Sequence, residues 1–276
     1  MALAHRTLIP QPAHRAAVVV LRAGLELGLV FALFHLYRLG RLVTKGHEDA
    51  AREHALDVHQ LERLLHLPSE AWVQSVVGTP TVLHLSNIYY VSVHFPLMIA
   101  FLVWGYLFRS RSEYLWARNL AIVMTASALV IHIVFPLAPP RMFGQWGFVD
   151  SMTIYGPDPY QGASGAVANQ FAAMPSLHVG WALLIAFVIA RTGPRWLALV
   201  AATHALLTVF VVVVTANHWW LDGIVAAALL VLAARVVPAP YRGSRSARAS
   251  TSAAGAVSRH ASKASSASSS RSMASR

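Results

Sequence analysis

Residues 196–234 read WLALVAATHALLTVFVVVVTANHWWLDGIVAAALLVLAA, and Asp222 is the one charged side chain among them. About 20 apolar helical residues cross the ~30 Å core of a bilayer. The stretch therefore holds two crossings, 196–216 and 219–237, joined by a polar turn at Asn217 and His218. Working outward, residues 71–108 contain no Asp, Glu, Lys or Arg, and residues 119–149 contain only Arg141. With an apolar run near the N-terminus, these windows predict six spans, at about 16–37, 83–107, 119–137, 175–191, 196–216 and 219–237. The expected fold is all-α, a polytopic membrane protein built as a six-helix bundle. Composition points the same way, since 56% of residues are apolar and 12% charged. A soluble globular chain carries roughly twice that charged fraction. Cysteine is absent, which excludes disulfides, thiolate metal sites and a cysteine nucleophile.

The net charge of +11 suggests nucleic acid until it is located, because residues 238–276 hold seven Lys/Arg and no Asp/Glu. Orientation follows from where the cations fall. Arg6 and Arg15 precede the first span, Arg109, Arg111 and Arg118 join the second to the third, and Arg191 and Arg195 join the fourth to the fifth. With six spans all of these, and the basic tail, lie on one side. Both termini are expected in the cytoplasm of a plasma-membrane protein, with residues 138–174 and the 217–218 turn outside. The first span is too long for a cleaved signal peptide. Its Arg22 and Glu26, at i,i+4 spacing, read as a local pair or as bundle-facing groups.

Three regions follow: a cytoplasmic N-terminus (1–15), the membrane domain (16–237) and a basic Ser/Ala-rich tail (238–276). Within the domain, residues 46–66 are charged, with Ala51, Ala55, Val58, Leu61 and Leu65 at helical spacing, which predicts a helix lying on the outer membrane surface. The tail has almost nothing to bury and is expected to be disordered and to touch anionic lipid rather than nucleic acid.

Polar groups at span ends are candidate functional sites. Three motifs are delivered to the outer side by topology alone: Ala138-Pro139-Pro140-Arg141, Met174-Pro175-Ser176-Leu177-His178 and Asn217-His218-Trp219-Trp220-Leu221-Asp222. His218 and Asp222 sit four apart on a helix whose expected N-cap is Asn217. A carboxylate there fixes one imidazole tautomer and leaves the other nitrogen as a nucleophile. His178 falls in the first turn after Pro175, where free N–H groups and the positive helix end favour a phosphate. Arg141 adds a planar, permanent cation suited to phosphate oxygens. Together these residues make a set for phosphoryl transfer. Zinc is the chemical rival, since two His and one Asp can ligate it. No paired His motif supports it, however, and Arg141 would repel the metal. His94, His132 and His204 read as structural, and Trp181, Trp219 and Trp220 as an interfacial aromatic belt.

At these residues the chain resembles the type 2 phosphatidic acid phosphatase superfamily, whose Pro-Ser-x-His and later His-x-x-x-Asp elements match Pro175–His178 and His218–Asp222. The resemblance covers roughly residues 16–237. It implies a phosphohistidine intermediate on His218, oriented by Asp222, with His178 protonating the leaving group. Arg141, Ser176 and Asn217 are the candidate phosphate contacts, and neither metal nor cofactor is expected. Two positions depart from the usual pattern: Val134 precedes Arg141 by seven residues where a Lys is usual, and Val212 precedes His218 by six where an Arg is usual. The three motifs together are similar to the branch that includes inositol phosphorylceramide synthases. The expected activity is therefore a lipid or polyprenyl phosphatase, or a transferase that passes a phospho-headgroup to a lipid hydroxyl. The alternative from another class is a non-catalytic lipid transporter or binding protein, which would place its polar groups near the midplane.

Overall fold

Helix termini and prolines set the element boundaries. In the computed structural model the described residues are 20–26, 28–29, 31–32, 35, 46–159 and 169–240. Nine helices have full bounds among them: α1 (Glu48–Leu64), α2 (Glu70–Val77), α3 (Pro80–Ser92), α4 (His94–Phe108), α5 (Arg111–Val134), α6 (Ser151–Tyr155), α7 (Leu177–Thr192), α8 (Arg195–Val214) and α9 (Trp220–Val236). The one β contact among the described residues is an isolated bridge between Leu137 and Ala172. The described positions of the expected first span are helical. Residues 1–15 and 241–276, on which the N-terminal and most of the tail expectations rest, lie outside the described residues.

Three helical stretches are long and apolar enough to cross a membrane: Pro80–Phe108, Arg111–Val134 and Arg195–Val214. Helices α7 and α9, with 16 and 17 residues, are shorter than the ~20 that a full crossing takes. The expected span at 83–107 is two helices, broken at Val93. Pro96 has no N–H to give the Ser92 carbonyl four residues back, so the ladder is interrupted there. The expected span at 119–137 starts earlier, because Ser110 and Glu113 form a reciprocal capping box before α5. It ends at Val134, before Phe135 and Pro136.

The bundle core is built by α4, α5, α7, α8 and α9, with Leu120, Met124, Leu184, Val188 and Leu230 at its centre. Gly180 makes one close crossing possible, because a Cβ there would lie 3.2 Å from Met124 Cε and 3.6 Å from Ala226 Cβ. Glu26 does not pair with Arg22. It reaches Arg118 at 2.9 Å and Arg111 at 3.3 Å, tying the N-terminal helical segment to the start of α5.

The charged segment 46–66 is helical as expected, but its buried stripe is Ala51, Ala55, Val58 and Glu62. Leu61 and Leu65 are exposed. The stripe packs on protein: Ala138 N–H donates to the Ala51 carbonyl at 3.0 Å, and the His54 ring bonds the Pro136 carbonyl at 2.7 Å. A second buried cluster results, joining α1 to Leu137, Ala138, Phe143, Phe148 and Trp219. Trp219 is therefore core rather than belt, with its indole N–H on the Ala138 carbonyl at 3.0 Å. Trp181 also faces inward, donating to Thr125 Oγ1 and stacking on His94.

Candidate active site

The site assembles where α5 and α8 end and α7 and α9 begin. Helix α8 closes with Ala216 N–H on the Val213 carbonyl and Asn217 N–H on the Val212 carbonyl, the paired bonds of a Schellman motif. The left-handed position, usually glycine, is Ala216 (φ 53°). Its methyl is fully buried in the second core cluster, which offsets the backbone strain of about 1–3 kcal/mol. The Ala216 carbonyl accepts the Arg141 N–H at 2.8 Å, so the first motif is bonded directly to the third. The second motif joins them through Ser176 N–H, which donates to the Asp222 carbonyl at 3.1 Å. His132 supports it from α5, with its Nε2 3.2 Å from the Pro175 carbonyl.

Helix α9 begins at Trp220, with Trp219 as N-cap. Asn217, expected as that cap, lies two residues earlier, and His218 therefore precedes the helix rather than sharing its face. The pair still meets. Asp222 is the third helical residue, and its side chain folds back over the helix start, where Oδ2 accepts the Trp219 N–H at 2.9 Å and approaches His218 Nδ1 at 3.1 Å. An N3 carboxylate that reaches its own N-cap backbone is half of a capping box, and here the same oxygen orients an imidazole. The Ala173 carbonyl lies 2.9 Å from the same Nδ1. Both partners are acceptors, so Nδ1 carries the proton and Nε2 keeps its lone pair. His218 Nε2 is buried and has no hydrogen-bond partner.

His178 enters from the first turn of α7. Its ring centroid is 5.8 Å from that of His218, and its Nε2 is also buried without a partner. Tyr90 stacks on it at 4.0 Å, and His94 lies 4.5 Å away on another side. His94 is buried with neither ring nitrogen hydrogen-bonded. It belongs to the histidine cluster, against the structural reading of the sequence. Its spacing carries no such signal, because only the bend at Val93 turns it toward α7. His204, by contrast, is tied to the Tyr89 hydroxyl at 2.5 Å.

The expected phosphate contacts divide. Arg141 is buried, and its guanidinium donates to Asp150 Oδ2 at 3.1 Å and to Gln170 Oε1 at 3.4 Å. Ser176 is the N-cap of α7, with its hydroxyl accepting the Val179 N–H at 3.3 Å. The Asn217 amide donates to Thr215 Oγ1 at 2.8 Å, while its carbonyl oxygen is buried without a partner. Among the described residues, no group of three or more His, Asp or Glu is placed to hold a metal ion.

The profile of the PAP2 superfamily matches residues 56–236, which include all three motifs. The chain belongs to the PAP2 superfamily. Its membership and its apolar helices make it a membrane-associated enzyme of the phosphatase or phosphotransferase type. No curated protein and no solved structure matches the chain. The matched region starts inside α1, so this PAP2-superfamily domain extends beyond the bundle to the charged segment that packs on the site.

Proposed function

We propose that this PAP2-superfamily protein transfers the phosphoryl group of a lipid or polyprenyl phosphate through a phosphohistidine on His218. The observation that carries the proposal is the pair of unpartnered Nε2 atoms on His218 and His178, with His218 Nδ1 engaged by Asp222. His218 Nε2 attacks phosphorus, the ester P–O bond breaks, and protonated His178 delivers a proton to the leaving oxygen. In the second half, His178 takes a proton from the incoming acceptor as its oxygen displaces the imidazole. Arg141 and the Ser176 element frame the phosphate, while the donating side of the Asn217 amide is taken by Thr215. Two carboxylates beside the motifs are already engaged, Asp222 by His218 and Trp219, and Asp150 by Arg141.

Water and an alcohol are both chemically competent acceptors. Burial of His218 and Asp222 restricts bulk water at the phosphohistidine. This favours transfer to an alcohol over hydrolysis; a phosphodiester donor would leave its headgroup on the phosphohistidine, as the motifs similar to those of inositol phosphorylceramide synthases suggest. Purified protein incubated with labelled lipid phosphates, with and without alcohol acceptors, is the test. Label appearing in a new phosphomonoester of the acceptor supports transfer, release as inorganic phosphate supports hydrolysis, and no release of either kind refutes both.

In this reading the domain crosses the plasma membrane six times, from 16–37 to 219–237, with both termini in the cytoplasm and the three motifs outside. Helices α1 and α2 lie on the outer surface in this arrangement. The basic tail at 238–276 meets anionic inner-leaflet lipid. The native chain has no thiol, so single cysteines report on topology cleanly. An impermeant thiol reagent applied to intact cells is expected to label Ser164→Cys and spare Ser250→Cys. The reverse pattern would invert the orientation.

A further inference from the structure

Three successive backbone N–H groups open α9, and each donates to a different carboxyl group. Trp219 N–H reaches Asp222 Oδ2 at 2.9 Å, Trp220 N–H reaches Glu70 Oε1 at 3.1 Å, and Leu221 N–H reaches Glu62 Oε1 at 2.8 Å. The first N–H groups of a helix have no partner inside it and carry its positive end. Here two of them are satisfied from outside the helix, by Glu62 in the last turn of α1 and Glu70 at the start of α2. Both glutamates are almost inaccessible, at 3% and 2% exposure. The second oxygen of Glu62, Oε2, is buried with no hydrogen-bond partner.

We propose that Glu62 and Glu70 form a carboxyl clamp that holds the first turn of α9 and so positions Asp222 and His218 for reaction. This inference rests on the phosphohistidine reading of that pair. Neither glutamate touches the reacting atoms, so both are positioning residues. The clamp gives segment 46–70 a task within the enzyme and occupies the helix end that would otherwise attract a phosphate. The phosphate is thus left to Arg141 and the α7 side.

Burial, and then Glu70 beside it, push Glu62 up to about 9, so at neutral pH it carries its proton. The other charged or titratable groups around Glu62 are His59 and Arg63 of α1, Glu70 of α2 and Asp222 of α9. A cavity of about 180 Å³, lined by His59, Glu62, Arg63, Ser69 and Glu70 among others, lies beside the two carboxyl groups. Glu62 binds its proton more tightly folded than unfolded. The clamp is therefore intact at neutral pH and is weakened as pH rises through about 9, when Glu62 would become a buried charge.

The test uses the full chain in lipid nanodiscs, with hydrogen exchange of amides 219–222 read beside steady-state kinetics. Glu62→Ala and Glu70→Ala are each expected to speed exchange at these amides. Each should also lower kcat about a hundredfold with KM little changed, the scale of a misplaced reacting group. Glu62→Gln keeps an acceptor for Leu221 N–H and cannot ionise. It should retain wild-type exchange and rate at pH 7, and it should lack the alkaline fall near pH 9 that the wild type shows. Unchanged exchange in both alanine variants, or an alkaline limb that persists in Glu62→Gln, would overturn the clamp. Wild-type protein that turns over no lipid phosphate, with the exchange response intact, overturns the phosphotransfer reading and sustains the clamp. Should an alanine variant fail to insert, the Glu62→Gln comparison alone decides.

Discussion

His218→Ala is expected to abolish turnover, by at least about four orders of magnitude, while the protein still inserts and folds. The imidazole is bonded through Nδ1 only, to Asp222 and the Ala173 carbonyl, and its other nitrogen holds nothing in place. Removing it leaves Asp222 Oδ2 still capping Trp219 N–H, so the start of α9 survives. No second nucleophile stands ready, because His178 is 5.8 Å away between centroids and packed against Tyr90 and His94. Asp222→Asn should retain a low residual rate. Its amide oxygen can still accept the Trp219 N–H, but it no longer stabilises the charge that develops on His218. An acid-labile radiolabel on the wild-type chain, absent from His218→Ala, is the direct check. A wild-type rate in His218→Ala would exclude the phosphohistidine.

Much of this site was legible because its logic is local. The order Pro-Ser-x-His then His-x-x-x-Asp survives folding as a contact between Asp222 Oδ2 and His218 Nδ1. What misled was the assumption that i,i+4 spacing means one helix face. His218 lies before the helix, and the contact exists because an N3 carboxylate turns back to its N-cap. The span count was read from hydropathy, which reports composition over a window and cannot see where Pro96 breaks the ladder or where capping at Ser110 begins it. Trp219 and Glu62 depart from what their local composition suggests for a related reason. Tryptophan near a span end suggests an interface, and glutamate in a charged segment suggests solvent, yet both point into protein. The register held a clue for Glu62. Positions 51, 55 and 58 continue at helical spacing to 62, and following the period rather than the hydrophobicity selects the glutamate over Leu61. Nothing comparable announces Glu70 or His94, whose partners are 150 and 84 residues away in sequence.

Loss of Arg141 is the second large effect, and its interpretation depends on Asp150. Phosphoryl transfer needs charge on the transferring oxygens to be neutralised, and Arg141 is the cation that the three motifs bring to the loop before His218. Arg141→Ala is expected to lower kcat/KM by the ~2.7–4 kcal/mol that one electrostatic contact to a developing charge is worth, about 10² to 10³-fold. Activity in excess EDTA should match the untreated rate. A buried-side ion pair complicates the variant, because the Asp150 carboxylate loses its partner and remains as a negative charge near the phosphate. Arg141→Ala combined with Asp150→Asn should therefore recover part of the loss, whereas a guanidinium that merely held the loop together would give a double variant no better than the single one. Arg141→Lys should rescue in part, since an ammonium keeps the charge and cannot span both Asp150 and Gln170 as the planar fork does. Loss of activity with EDTA and its return with Zn²⁺ or Mg²⁺ would instead make Asp222 a metal ligand. That outcome would require the Asp222 carboxylate to leave both the Trp219 N–H and the His218 ring it now serves.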